Sequence, residues 1–238
     1  MKLAVLTTQT LHHTYFLKEI AHACSDLSVI LETKYPKYPF DVHHSFEKDR
    51  EEYERHLWFD GQSPLISQCF STRECWTVND HSIIRQLEEW SPTLVIVFGT
   101  GLIKSSLLST INADVLNLHG GDPETYRGLD SHLWSIYHDN FDCLKTTLHR
   151  VTDEIDAGEI VSQAIIPLYR NMSLKQLRAA NSEICVDLVV DAMQFLDKHR
   201  KLPRRKQIRK GRYYSAMPTS LKDVCLKKFD AHTSALVT

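Results

Sequence analysis

Leu94-Val95-Ile96-Val97-Phe98 is an unbroken apolar run with no face left for water. A strand of that kind must be covered on both sides, as a central strand of a parallel sheet is when helices pack above and below it. The preceding residues supply the partners. Leu3 to Thr7 and Leu27 to Leu31 read as strands, and Phe16, Ile20 and Ala23 repeat at helical spacing, which predicts a crossover helix over 12–24. A helix at about 80–90, a short one over Ser105–Ser109 and a strand over Val115–Leu118 continue the alternation. The expected fold is α/β, a Rossmann-like, mostly parallel sheet with flanking helices.

Residues 34–76 interrupt this pattern. Within them, Glu47-Lys48-Asp49-Arg50-Glu51-Glu52-Tyr53-Glu54-Arg55 alternates in sign and suits an exposed helix, so the segment reads as an excursion with a lid as one role for it. Further on, residues 130–139 predict a helix capped by Asp130 or Ser131. Strands follow over Thr146–Val151 and Ile160–Ile166. A long amphipathic helix is expected over 173–199, with Leu177, Ala180, Ile184, Leu188, Ala192 and Phe195 in step; its apolar stripe allows a homodimer. The expected organisation is a catalytic domain over 1–200 and a C-terminal extension over 201–238.

Lys and Arg number 28 against 30 Asp and Glu, a net charge of -2. That balance argues against whole-surface attraction to nucleic acid. The six cysteines are scattered without a Cys-x-x-Cys pair and without histidines at ligand spacing, so free buried thiols in a reducing cytoplasm are expected, and no metal. Met1 to Thr8 is too short an apolar run for a signal peptide and reads as the first strand. No stretch approaches the ~20 apolar residues of a membrane span, which points to a cytoplasmic protein with no membrane partner.

The chemistry concentrates in two segments. Asn117-Leu118-His119-Gly120-Gly121-Asp122-Pro123-Glu124-Thr125-Tyr126-Arg127-Gly128 begins at a strand's carboxyl end, where ligands sit in open parallel sheets. Val151-Thr152-Asp153-Glu154-Ile155-Asp156-Ala157-Gly158 lies between two later strands. Together they offer an amide, an imidazole and a carboxylate, a set suited to moving an acyl group onto an amine. The tetrahedral intermediate of that reaction carries negative charge on oxygen. Asn117 can donate an N–H to it, and so can a protonated His119. Asp156 can hold the imidazolium or take the amine's proton, directly or through a water.

Asn-x-His at a strand end, Tyr-Arg-Gly seven residues past the His, and Val-Thr-Asp-Glu-Ile-Asp-x-Gly ahead of a strand resemble the signature of the 10-formyltetrahydrofolate-dependent formyltransferases. This family includes the glycinamide ribonucleotide, methionyl-tRNA and nucleotide-sugar enzymes. The resemblance covers roughly residues 80–170. It implies the formyltransferase fold and 10-formyltetrahydrofolate as co-substrate, with Asn117, His119 and Asp156 as the catalytic triad. It also implies a pterin pocket lined by Phe98, Thr100, Gly101, Leu102 and Ile103 and by Val151, Thr152, Asp153 and Ile155, with Asp153 fixing the turn. The acceptor side would involve Gly120, Gly121, Tyr126 and Arg127. Where the family usually has Pro-Ser-Leu-Leu-Pro after the His, this chain has Gly120-Gly121-Asp122-Pro123-Glu124, so the acceptor side of its pocket is expected to differ.

Four observations bear on that acceptor. Thr8-Gln9-Thr10-Leu11 is not a glycine-rich phosphate loop, which weakens a glycinamide ribonucleotide reading. Only 38 residues follow Arg200, too few for the second domain of methionyl-tRNA enzymes. A nucleotide-linked amino sugar is left, and the alternatives are another amine or water, the last making a 10-formyltetrahydrofolate hydrolase. His12 and His13 follow the first strand and could face the acceptor, although adjacent histidines are more often surface or pocket-edge residues. Nine basic residues between Lys198 and Arg212 read either as a solvated helix end or as contacts to a diphosphate.

Overall fold

In the computed structural model, which describes residues 1–237, the chain alternates as the apolar runs require. The order is β1 (Lys2–Thr7), α1 (Leu11–Ala23), β2 (Asp26–Glu32), α2 (Ser45–Phe59), α3 (Ile66–Cys69), β3 (Thr72–Cys75), α4 (His81–Trp90), β4 (Leu94–Phe98) and α5 (Ser105–Thr110). It continues with β5 (Asp114–His119), β6 (Tyr126–Gly128), α6 (Ser131–Tyr137), β7 (Lys145–Arg150), β8 (Ile160–Ile165), α7 (Leu174–His199), β9 (Arg212–Tyr214) and α8 (Thr219–Ser234). Seven strands form one sheet in the order β3-β2-β1-β4-β5-β7-β8. The first five are parallel, and β7 and β8 close the far edge antiparallel.

β4 is buried at every position, as its composition demands. Its alternate side chains feed two cores: Leu94, Ile96 and Phe98 pack with α1 and α7, while Val95 and Val97 pack with α4 and α5. A third cluster, around Ile136, Met217 and Phe229, joins α6 to α8.

Three expectations are corrected. Residues 34–76 are not one irregular excursion, because β3 completes the sheet edge and α2 packs against α1 and α7. α2 is also less exposed than its charges suggest: Glu54 is fully buried and accepts two 2.6 Å bonds from Arg178 of α7. Of the apolar stripe of α7, Leu177, Leu188 and Ala192 are buried inside the chain, while Phe195 stays 41% exposed. Asp130 stands at the start of α6 but makes no side-chain cap; its carboxylate accepts the Met217 N–H at 2.8 Å instead.

The segment after α7 is bound into the fold. Leu202 is buried in the first core, β9 pairs parallel with β6, and α8 covers α6. Gly128 permits the β6–β9 approach: its φ is +92°, and a Cβ there would lie 2.2 Å from the Tyr214 carbonyl oxygen.

Candidate active site

Side chains two apart on a strand share a face, so Asn117 and His119 project together from the carboxyl end of β5. The antiparallel register sets His149 of β7 directly opposite Asn117, on that face. β7 carries an irregularity at Leu148/His149 in its pairing with β8, of the kind that re-aims side chains beside functional sites. The loop from β7 to β8 then delivers Asp156 with φ +51°, a left-handed conformation that Asp tolerates better than most side chains.

Asp156 is the hub. Oδ1 lies 3.4 Å from the Asn117 amide nitrogen and 3.3 Å from His149 Nε2; Oδ2 accepts the Gly128 N–H at 2.8 Å and lies 3.4 Å from His119 Nδ1. Its backbone carbonyl accepts from Gln207 at 2.8 Å, which ties the loop to the C-terminal segment. Burial alone would raise this carboxyl, but the His119 and His149 rings and the Gly128 N–H outweigh it and hold Asp156 below the usual carboxylate range.

His119 Nε2 donates to the Tyr126 carbonyl at 2.9 Å. A carbonyl can only accept, so the neutral ring carries its proton there and turns a bare Nδ1 toward Asp156. Burial pulls His119 below the ordinary histidine value against the opposing pull of Asp156. The ring is thus a base ready to take a proton, with a carboxylate in place to stabilise the charge that results. His149 Nδ1 donates to the Arg150 carbonyl at 2.9 Å, leaving Nε2 to the Asn117 amide at 3.2 Å. Both contacts of the Asn117 amide are long enough for an incoming oxygen to compete for its N–H bonds.

Beside this cluster opens a cavity of about 600 Å³ lined by Leu102, Arg127, Asp153, Glu154, Ile155, Lys210, Gly211 and Tyr213. Leu102 and Ile155 are 54% and 36% exposed and give it apolar walls. Arg127 is buried beneath, donating through Nε to the Ile155 carbonyl at 2.7 Å and through Nη2 to Glu154 at 3.0 Å. The Gly101 N–H is held by Glu32 at 2.6 Å, and Thr100 bonds the Gly101 carbonyl at 3.2 Å. Phe98 and Ile103 are buried behind this segment rather than lining the cavity. Val151 packs beside the second core, and Thr152 hydroxyl, not Asp153, makes the side-chain bond of the turn, to the Glu154 carbonyl at 3.0 Å.

On the other side, Tyr126 is buried and its carbonyl serves His119. A Cβ on Gly121 would meet His119 Nε2 at 2.7 Å, and one on Gly120 would meet His132 at 3.2 Å, so the two glycines admit both imidazoles. His13 is buried, its ring 4.2 Å from that of Phe98, and its Nδ1 lies 2.9 Å from the Thr8 carbonyl. Burial lowers it to about 4. His12 has a buried Nδ1 without a partner among the described residues. Both histidines stand beside the crevice between β1 and β4, where the strand order reverses. Among the described residues no group of three or more His, Cys, Asp or Glu is placed to hold a metal, and no helix is long and apolar enough to cross a membrane.

Much of the basic C-terminal run is paired internally. Arg205 grips Glu124 through two bonds of 3.0 and 2.9 Å, Arg209 bonds the Glu124 carbonyl at 2.9 Å, Arg204 lies 3.8 Å from Glu159, and Lys210 pairs with Glu154. Sequence reasoning missed His149, Glu124 and Gln207. His149 had a signal in its strand-end position within Thr146–Val151, but its role depends on a cross-strand register the sequence does not display.

A sheet of this order carries an amide, an imidazole and a carboxylate together at its carboxyl edge, and the formyl transferase family matches residues 43–193. The chain belongs to that family. Phosphoribosylglycinamide formyltransferase of Escherichia coli is 27% identical over 116 residues, which take in 48% of this chain and 53% of that protein. The chain therefore matches about half the length of that relative. A sugar N-formyltransferase from Shewanella superposes with a TM-score of 0.66 at 14% identity, over 96% of this chain and 88% of that one. An N-formyltransferase from Helicobacter canadensis, in complex with folinic acid and dTDP-3-aminofucose, gives 0.59 at 17% identity over 90% and 71%. At such identities these likenesses establish the formyltransferase fold.

Proposed function

We propose that this protein transfers a formyl group from 10-formyltetrahydrofolate to the amine of a nucleotide-linked amino sugar. The observation that carries the reading is the convergence of Asn117, His119 and Asp156 beside an apolar-walled cavity of about 600 Å³. That volume is within the range of small-molecule sites. Leu102 and Ile155 would flank the pterin, the backbone of residues 100–103 and 152–155 would hydrogen-bond its edge, and Phe98 and Ile103 would support that wall from behind.

The chain's own groups divide the reaction. The Asn117 amide donates to the carbonyl oxygen as charge develops there. His119 Nδ1 takes the proton that the attacking amine releases, and Asp156 stabilises the ring once charged. His149 and the Gly128 N–H orient Asp156. Gly120, Gly121, His12 and His13 belong to the acceptor side, while Tyr126 and Arg127 shape the wall between the two substrates. Residues 1–200 serve as the catalytic domain, with 201–238 as an extension that clamps the Asp156 loop through Gln207. A homodimer and a cytoplasmic setting remain part of the reading without adding to the chemistry.

The choice of acceptor is supported by likeness to an enzyme complexed with a dTDP-linked amino sugar and by the absence of a glycine-rich turn after β1. The test is to incubate the protein with 10-formyltetrahydrofolate and a panel of amines: nucleotide-linked amino sugars, glycinamide ribonucleotide, and none. Turnover only with an amino sugar supports the proposal. Equal turnover without any amine would make the protein a hydrolase, and turnover with glycinamide ribonucleotide alone would replace the acceptor.

A further inference from the structure

A second cavity, of about 240 Å³, opens between α2, the end of β6 and the start of α8, lined in part by Tyr38, Glu47, Arg50, Asp130 and Lys222. One of its cations, Arg50, has no carboxylate within ion-pair distance among the described residues, although Glu54, Glu47 and Asp130 lie in its field. Lys222 is buried and pairs with Glu47 at 2.7 Å; Asp130 accepts the Met217 N–H at 2.8 Å; Glu54, beneath, takes both bonds of Arg178. Arg50 stacks its guanidinium on Phe46 at 5.4 Å, and among the described residues its Nε is buried with no hydrogen-bond partner. His12 Nδ1, within the field of Arg50 and Arg178, is buried and unpartnered as well.

A buried N–H left without an acceptor costs free energy, and the Arg50 Nε is one. Nothing local relieves it by deprotonation. Burial first, and Arg178 second, draw Arg50 down to about 10 against the opposing pull of Glu54, Glu47 and Asp130, so it stays cationic at neutral pH. The protein therefore keeps an unpaired, plane-fixed guanidinium at the wall of a cavity, an arrangement that an anion of matching geometry would complete.

We infer that Arg50 is the anchor of a phosphoryl-binding subsite for the acceptor, with the cavity receiving the phosphate linkage of a nucleotide-linked substrate. The inference rests on the acceptor reading proposed above and gives it an address. The cavity is adjacent to the chemistry: Gly128, whose N–H holds Asp156 at 2.8 Å, is followed at once by Leu129 and Asp130 of the cavity wall. At about 240 Å³ the cavity suits a phosphoryl group and part of its sugar, not a whole nucleotide. It also takes over the role that the basic C-terminal run loses to its internal pairs.

The test needs neither folate nor turnover, so it stands or falls separately from formyl transfer. Inorganic pyrophosphate is titrated calorimetrically into wild-type, Arg50→Gln and Arg50→Lys proteins, with succinate as the carboxylate control. Wild type is expected to bind pyrophosphate, Arg50→Gln at least tenfold more weakly, and Arg50→Lys in between, because the ammonium keeps the charge and loses the fork. Phenylglyoxal labelling of wild type, mapped by mass spectrometry, covers the case of a variant that does not fold: pyrophosphate should protect Arg50 specifically. Absence of pyrophosphate binding, binding undiminished in Arg50→Gln, succinate binding as tightly, or labelling of Arg50 unchanged by pyrophosphate would each overturn the inference.

Discussion

His149 Nε2 lies 3.3 Å from Asp156 Oδ1, on the opposite oxygen from the one that faces His119. Asp156 is therefore gripped from two strands at once, and only one of its two imidazole neighbours, His119, turns a free lone pair toward the proton to be moved. His149→Gln should lower kcat by about tenfold through misplacement of Asp156, against about 10² or more for His119→Ala, which removes the base. Steady-state kinetics on both variants decide it; equal losses would make His149 a proton carrier too.

The electrostatics of the pair predict a pH profile. His119 must be unprotonated to act, and its value is held below the ordinary 6.5. The acidic limb of kcat/KM should fall below pH 6.5 and move lower still in Asp156→Asn, where the carboxylate that opposes the burial effect is gone. A limb at or above 6.5 in wild type would contradict the assignment of the base.

Asp156 also links stability to pH. Its folded value is depressed, so its contribution is complete above the unfolded value of about 3.9 and is lost as pH falls through that value and below. Melting temperatures of wild type and Asp156→Asn should differ near pH 6–7, with wild type higher, and converge in acid below about pH 4. A gap that holds constant down to pH 3 would show that the carboxylate's charge contributes nothing.

The Asp156 loop is locked by backbone proximity. A Cβ on Gly158 would lie 1.8 Å from the Arg150 carbonyl oxygen, which belongs to β7 and cannot yield without disturbing the strand. Gly158→Ala should displace Asp156 and cost more than tenfold in turnover, with folate affinity reduced as well. Retained turnover in a variant with an unchanged melting temperature would show the loop to be looser than its contacts indicate.

How far the sequence revealed this arrangement can be judged residue by residue. The buried strand Leu94–Phe98 was legible because hydrophobic continuity is local, as was the Asn117-x-His119 pair; Asp156, 39 residues on, was placed beside them by the family resemblance of its own loop motif. The β6–β9 pairing was not, since Tyr126–Gly128 and Arg212–Tyr214 are three residues each and lie far apart in the chain. For the same reason Arg204, Arg205, Arg209 and Lys210 read as free charge, their partners Glu159, Glu124 and Glu154 being contributed from distant segments. The excursion over 34–76 concealed an edge strand, because β3 is short and half polar and gives no clear period.

Those tail pairs supply their own prediction. Glu124→Ala would strand Arg205 and remove an acceptor of the Ile208 N–H, so stability should fall by about 1–3 kcal/mol and the 201–212 segment should become open to proteolysis. Urea unfolding and limited digestion check it; wild-type behaviour in both would assign the run to solvated surface.

The most direct measurement follows the carbon itself. With ¹³C in the formyl group of 10-formyltetrahydrofolate and a nucleotide-linked amino sugar as acceptor, NMR should show the label moving into a new formamide on the sugar in wild type. In Asn117→Ala, His119→Ala and Asp156→Asn the transfer should slow by about 10² or more while the folate stays bound. Label released as free formate in wild type, or transfer within a few-fold of wild type in all three variants, would contradict the account.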